Sequence, residues 1–233
     1  MEQFASENAW QGPEPLPNPL DVPRLGEIYS RTAAFYDEVV AERQAGPKLE
    51  ALHQLNRQPS ERFLEVGVGT AWAFERLIAE SGLENAYGLD VALGMLEVAN
   101  QRLTETGRYG GAPFLLGDGR RLPFAGETFD CLLNTYTFEV LATPDIPPVL
   151  DECLRVLKPG GRIAVVNLTD GEGVDAAMTE DWKRRYIEDP EFFGGARPLH
   201  LQRMLEARGF IKVSRTYVGP HWPSEVLLAF RTS

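Results

Sequence analysis

Between Arg62 and Asn167 the chain alternates short apolar runs with longer stretches whose apolar residues recur every three or four positions. The runs are Arg62 to Val66, Ala86 to Asp90, Pro113 to Leu116, Phe129 to Asn134 and Arg162 to Asn167. Each has the length of a strand, and helices fit between them at about 71–81, 92–106 and 145–157. The last helix ends at Lys158-Pro159-Gly160-Gly161, a stop signal followed by a tight turn. Strands alternating with helices in this way predict a parallel sheet covered on both faces.

The flanks follow other patterns. Leu25, Ile28, Tyr29, Phe35, Tyr36 and Val39 or Val40 share one face of a helix over Leu25 to Val40. A second helix is expected after Pro47, a favoured first-turn residue, through Leu49, Leu52 and Leu55, so that a helical cap covers about 24–57. Residues 1–23 hold five prolines and little apolar periodicity, which predicts a flexible N-terminal arm ahead of one domain over 24–233. Beyond Asn167, a segment without strand character carries Trp182, Tyr186, Phe192 and Phe193, and a lid is expected at about 168–198. A helix around Leu199 to Arg208 then leads into Phe210 to Val218 and Ser224 to Phe230, joined closely enough for an antiparallel hairpin. The sum is an α/β, doubly wound, mostly parallel seven-stranded Rossmann-like sheet, with an antiparallel C-terminal hairpin and N-terminal helices.

Composition narrows the possible partners. The hydrophobic share of 43% and charged share of 24% are those of an ordinary soluble domain. No apolar run approaches the roughly 18 residues of a membrane span, and the N-terminus is not basic then apolar, so a cytoplasmic protein is expected. A net charge of -11 repels a phosphate backbone, and no nucleic-acid partner is expected. Cys131 and Cys153 lack the spacing of a zinc site or redox pair, and read as buried reduced thiols. No ligand set for a metal is visible.

The candidate chemistry begins at Glu65-Val66-Gly67-Val68-Gly69-Thr70. Two glycines after a buried strand let the backbone approach a ligand, and the helix that follows offers unpaired amides; a purely structural turn needs glycines too. A dinucleotide fingerprint would need Gly or Ala where this chain has Trp72. Glu65 instead supplies a carboxylate suited to the ammonium of an amino-acid-like ligand, which fits S-adenosylmethionine rather than NAD. Asp90 closes the next strand about 20 residues on, where an acidic side chain accepts ribose hydroxyls, a spacing that NAD folds share. Asp118, between Gly117 and Gly119, is placed to accept from an adenine amine; an isolated Asp is also an ordinary turn residue.

These motifs together resemble the class I S-adenosylmethionine-dependent methyltransferases, in particular the small-molecule group that includes the ubiquinone and menaquinone C-methyltransferases. The resemblance covers about residues 25–168. It is carried by Phe63 to Thr70, Gly88-Leu89-Asp90 with Met95-Leu96, Gly117-Asp118 with Leu122-Pro123-Phe124, Phe129-Asp130, and Glu152 with Leu154 to Gly161. It implies that Glu65, Gly67, Gly69 and Thr70 surround the methionine part, Asp90 holds the ribose, Val91 and Met95 pack on the adenine, and Asp118 with Gly117 and Gly119 meets its edge. It further implies that Asn134 and Thr135 face the transferring methyl and that Tyr29 or Tyr36 closes over the cofactor, whose product is S-adenosylhomocysteine. Ala71 and Gly119 depart from the family, which often has Gly and Ala at these places.

Methyl transfer from a sulfonium needs positioning above all, and a general base only when the acceptor must lose a proton. Tyr136, Glu139 and His200 are the candidates for that base, although a His at a helix start also caps or packs. Trp182, Tyr186, Phe192, Phe193, Tyr136 and Phe138 either line an apolar acceptor pocket or belong to the core. Lys183-Arg184-Arg185 attracts an acidic substrate or forms a solvated helix face. The leading expectation is methyl transfer to a small, partly apolar or aromatic acceptor. The alternatives are a protein or RNA methyltransferase and a non-catalytic cofactor-binding protein. The oligomeric state and the atom methylated are not legible.

Overall fold

Along each central strand, successive residues are buried on opposite sides of one sheet. In the computed structural model, which describes residues 15–107, 114–220 and 222–233, Leu64, Val66, Leu132, Ile163 and Val165 join one core. Phe63, Cys131, Leu133, Ala164 and Val166 join a second core on the other face. Both faces therefore need helices over them, as a parallel sheet requires.

The strands are β1 (Phe63–Val66), β2 (Ala86–Asp90), β3 (Phe114–Leu116), β4 (Phe129–Thr135), β5 (Leu157–Leu168), β6 (Ile211–Val218) and β7 (Ser224–Phe230). They lie in the order β3-β2-β1-β4-β5-β7-β6, with β7 antiparallel to both its neighbours and the other pairs parallel. The helices are α1 (Val22–Leu55), α2 (Trp72–Ser81), α3 (Leu93–Glu105), α4 (Ile146–Val156), α5 (Ala176–Glu188) and α6 (Gln202–Ala207). The strand order reverses between β1 and β4, and the loops leaving the carboxyl ends of β1, β2, β3 and β4 open into one crevice at that switch point.

Two local expectations are corrected. The N-terminal region is one helix of 34 residues, with Pro47 in its interior, rather than two. An interior proline costs a helix ~3 kcal/mol. Both halves of α1 are anchored strongly enough to offset this. The first half lies on α3, where Ala33 packs with Ala92 and Met95. The second buries Ala51 and Leu55 completely, and its end is held by Arg162, whose Nε donates to the Leu55 carbonyl at 2.6 Å. Lys158-Pro159-Gly160-Gly161 does not separate a helix from a strand: β5 starts at Leu157, and these residues bulge out of it before pairing with β4 resumes at Arg162.

Residues 1–14 of the expected arm, and Pro113, lie outside the described residues. Val22 and Pro23 already belong to α1, and Asn18 and Leu20 are buried, with Asn18 Nδ2 donating to the Val140 carbonyl at 2.5 Å. Cys131 and Cys153 are buried free thiols, each pushed up to about 12 by burial.

Candidate cofactor site

The crevice begins where β1 ends. Gly67 turns the chain at φ +75°, and its amide and that of Val68 donate to the Leu89 carbonyl at 2.8 and 3.0 Å, drawing the turn over β2. A Cβ on Gly67 would stand 2.0 Å from the Thr137 hydroxyl, so the loop after β4 already excludes any side chain here. The Gly69 amide donates to Asp90 Oδ2 at 2.8 Å, and the Ala92 amide to Oδ1 at 2.8 Å. Asp90 thus braces two loops. Burial pushes its carboxyl up and these amide bonds oppose that push. Ala71, where a third glycine is common in the family, adopts the left-handed φ of 60° at the start of α2.

Glu65 stands on the floor of the crevice, 1% exposed, with its Oε2 lacking any partner. Its Oε1 accepts only a long bond of 3.4 Å from the Thr135 hydroxyl. Burial pushes its carboxyl well above the usual range, against the pull of Lys48. Lys48, from α1, enters the same crevice and is itself buried; burial pushes its ammonium down, against the pull of Glu65. Its nitrogen lies 5.6 Å from the ring centres of both Trp72 and Tyr136.

The crevice encloses about 930 Å³, counting the space open to solvent at its mouth. Of the residues singled out in the sequence, Tyr29, Tyr36, Glu65, Gly67, Gly69, Thr70, Asp90, Val91, Met95, Gly117, Asp118, Gly119, Thr135 and Tyr136 line it. Tyr29 and Tyr36 meet edge to face at 6.0 Å, so both tyrosines of α1 face the crevice. The Tyr29 hydroxyl also donates to the Gly194 carbonyl at 3.1 Å. Asp118 is gripped by Arg120, whose Nη2 lies 2.7 Å from Oδ2 and which also reaches Asp145 at 2.8 Å. Burial pushes the Asp118 carboxyl up, but its bonds from Arg120 outweigh this and hold it below the usual range.

Other expected site residues stand apart. Asn134 does not line the crevice: it is fully buried, and its Nδ2 donates to the Val66 carbonyl at 2.8 Å, bracing β4 against β1. His200 pairs with Asp170 at 2.9 Å and Thr169 at 3.5 Å, outside the crevice lining. Glu139 lies behind the wall, 1% exposed and with Oε2 unpartnered; burial pushes it up to about 8. Tyr136 adopts a left-handed φ of 57°, rare for an aromatic residue, and its hydroxyl bonds to Ser224 at 2.8 Å. Burial pushes that phenol up, which disfavours it as a base.

For the aromatic segment, the core reading describes most of the residues. Trp182 packs on Phe193 at 4.8 Å and on Trp222 at 5.4 Å, Phe138 is in the core, and Phe192 is 71% exposed. Among these aromatics only Tyr136 lines the crevice. Lys183 pairs with Asp170 and Glu180, Arg184 with Asp181, and Arg185 stands over Phe193, so this run forms a paired helix face. Sequence reasoning missed Lys48, Thr137, Val140 and Leu141, which line the crevice. A lone lysine on a helix carries no signal of burial; the apolar pair follows a strand end, where a lining role was legible.

Residues 64–165 match the family described as the methyltransferase domain. The chain is 31% identical to the malonyl-[acyl-carrier protein] O-methyltransferase of Methylococcus capsulatus over 81% of this chain and 66% of that protein. It is 32% identical to the demethylmenaquinone methyltransferase of Geobacillus kaustophilus over 59% of this chain and 60% of that protein. The chain spans from 34% to 66% of the length of the curated relatives it first matches. Among solved structures, the [4+2]-cyclase SpnF superposes with a TM-score of 0.71 over 94% of this chain and 99% of its own, at 17% identity, a likeness of fold alone. The motifs at the crevice, the family match and the seven-stranded sheet agree: residues 64–165 form a methyltransferase domain.

Proposed function

We propose that this crevice holds S-adenosylmethionine and that the chain passes its methyl group to a small, partly apolar acceptor. The observation that carries the reading is the buried, unpartnered Oε2 of Glu65 on the crevice floor, beside the glycine turn of the methyltransferase domain. A buried carboxylate oxygen without a partner is costly, and an ammonium-bearing ligand satisfies it. In this reading Asp90 takes the ribose hydroxyls through lone pairs that the Gly69 and Ala92 amides leave open. Val91 and Met95 pack on the adenine, and Asp118, kept ionised by Arg120, accepts from its edge.

The bound cofactor supplies an electrophilic methyl on a sulfonium, and the protein's work is positioning and exclusion of water. Tyr29 and Tyr36 close the crevice from the side of α1, and Thr135 bounds it beside Glu65. Val22, Leu25, Val140, Leu141 and Val149 give the remaining wall an apolar character, which suits an acceptor with an apolar body. The cap over 24–57 and the segment 168–198 act together as the cover, joined where Tyr29 meets Gly194. No base is required by this arrangement. The net charge of -11 argues against RNA as the acceptor. No helix among the described residues is long and apolar enough to cross a membrane.

Incubation with methyl-labelled cofactor and a cell extract separated by mass tests the reading. Label is expected in the low-mass fraction. Label confined to protein or RNA would overturn the small-molecule acceptor, and cofactor binding without transfer to any fraction would overturn catalysis.

A further inference from the structure

Beside the crevice lies one carboxyl that the cofactor reading leaves unused. Glu139 is almost wholly buried, and its Oε2 has no partner among the described residues. It belongs to the single helical turn Phe138–Val140 after β4, directly before Val140 and Leu141, which line the apolar wall. Tyr136 leads into that turn at a left-handed φ of 57°, and strain of this kind in a non-glycine residue gathers at sites of function. The turn is also fixed from the lid side. Arg197, fully buried, donates through Nη1 to the Glu139 carbonyl at 2.7 Å and through Nη2 to the Thr143 hydroxyl at 3.2 Å.

The groups that face this carboxyl place it against the crevice. Lys48 of α1 and Arg197 favour its ionised form, as do the backbone amides of Glu139 itself and of Leu168, the last residue of β5. Its charge is felt in turn by Tyr29 and Tyr36 of α1 and by Tyr136. Tyr29, Tyr36, Lys48 and Tyr136 all line the crevice, so the carboxyl lies just behind their surface. Burial outweighs the two cations and pushes Glu139 up to about 8. The other residues suited to proton transfer are engaged: the Tyr136 hydroxyl bonds to Ser224 at 2.8 Å, and His200 pairs with Asp170 at 2.9 Å outside the crevice lining.

We propose that Glu139 is a catalytic base on the acceptor side, and that the acceptor presents to it a phenol or enol hydroxyl whose oxygen is methylated. The inference rests on the methyl-transfer reading above, and names the reacting group of the acceptor. Release of the methyl needs no base, but a hydroxyl that receives it must lose a proton. Glu139 Oε2 takes that proton as the acceptor oxygen attacks the methyl carbon. A C–O bond forms and the S–C bond breaks, its electron pair passing to sulfur. The products are a methyl ether, S-adenosylhomocysteine with a neutral sulfur, and protonated Glu139, which gives its proton to solvent as they leave. Positive sulfonium and negative carboxylate are thus neutralised in one step, which suits a buried site. The base also selects its acceptor: titrating at about 8, it stands close to a phenol at ~10. A carboxylic acid arrives ionised and needs no base, and an aliphatic alcohol holds its proton too tightly for this one.

The test follows methyl label from S-adenosylmethionine into the low-mass fraction of a cell extract, using full-chain wild type, Glu139→Gln and Glu139→Asp. Fragmentation mass spectrometry and NMR of the labelled product are expected to show the methyl ether of a phenol or enol, a readout that needs no variant. The initial rate of the wild type is expected to rise with pH through about 8 as Glu139 ionises. Glu139→Gln is expected to be ~100-fold slower at the pH where the wild type levels off, the scale of a general base. That gap closes towards pH ~10, where the hydroxyl ionises unaided. Glu139→Asp keeps a carboxyl and is expected to retain the rising profile at a lower rate, while calorimetry with S-adenosylhomocysteine checks that both variants keep the cofactor site. A methyl ester, or a methyl on nitrogen, sulfur or carbon, overturns the proposal, as do parallel pH profiles for wild type and Glu139→Gln. Absence of any labelled low-mass product from the wild type overturns the methyl-transfer reading itself, which separates the two claims.

Discussion

Glu139 is a carboxyl whose ionisation the fold disfavours. It is fully enclosed, and burial raises it from an ordinary 4.5 to about 8, against the pull of Arg197 and Lys48. A group raised in this way favours folding below its unfolded value and loses that contribution as pH rises through its folded value. Its effect is therefore complete below pH 4.5 and disappears towards pH 8 and above. Glu139→Gln cannot ionise, so its melting temperature relative to the wild type is expected to climb between pH 5 and pH 9. Parallel pH profiles would show that Glu139 is already ionised in the folded chain. The residue scale is also where the sequence was least legible. Glu65, Gly67, Gly69 and Asp90 stood in motifs whose spacing carried meaning. Lys48 did not, because burial of one lysine depends on neighbours brought from β1, α2 and β4.

At the scale of elements, α1 is the piece that completes the crevice. Tyr29, Tyr36 and Lys48 all come from it. It is held down by Asp37, which accepts from the Thr70 hydroxyl at 2.8 Å and pairs with Arg102 of α3. It also comes so close to α3 that a Cβ on Gly94 would stand 2.4 Å from the Ser30 carbonyl oxygen, a backbone atom with little freedom to yield. Gly94→Ala is therefore expected to lift α1 and destabilise the chain by about 1–3 kcal/mol, the usual cost of overpacking. Urea denaturation measures the loss, and cofactor affinity should fall with it. Full stability and affinity in the variant would mean that α1 is less firmly seated than its contacts indicate. The apolar period of α1 was legible on either side of Pro47, but its continuity was not. A local signal for a helix start was overridden by anchorage at both ends. Most strands were legible nearly to the residue, as β2 and β7 are short apolar runs bounded by turns, but β5 starts at Leu157, ahead of the expected Arg162.

For the whole molecule, the order β3-β2-β1-β4-β5-β7-β6 turns motifs that are far apart in sequence into one surface. Gly67, Asp90, Asp118 and Thr135 follow or end four different strands, and meet only because the sheet reverses direction between β1 and β4. The alternation of strands and helices made that architecture legible. It did not reveal the acceptor side, since the aromatic residues of segment 168–198 pack chiefly on one another and on Trp222. The fold likeness to a cyclase also shows why the sheet alone does not assign the reaction. The crevice at the switch point is shaped for one ligand, S-adenosylmethionine or its product. Calorimetric titration of the full chain with S-adenosylhomocysteine tests it most directly, with Asp90→Ala as the paired variant. One saturable site is expected in the wild type, weakened by about 1.5–3 kcal/mol in the variant as the ribose loses a charged acceptor. Absence of binding by the wild type up to ~1 mM ligand, or equal affinity in the two proteins, would contradict the account.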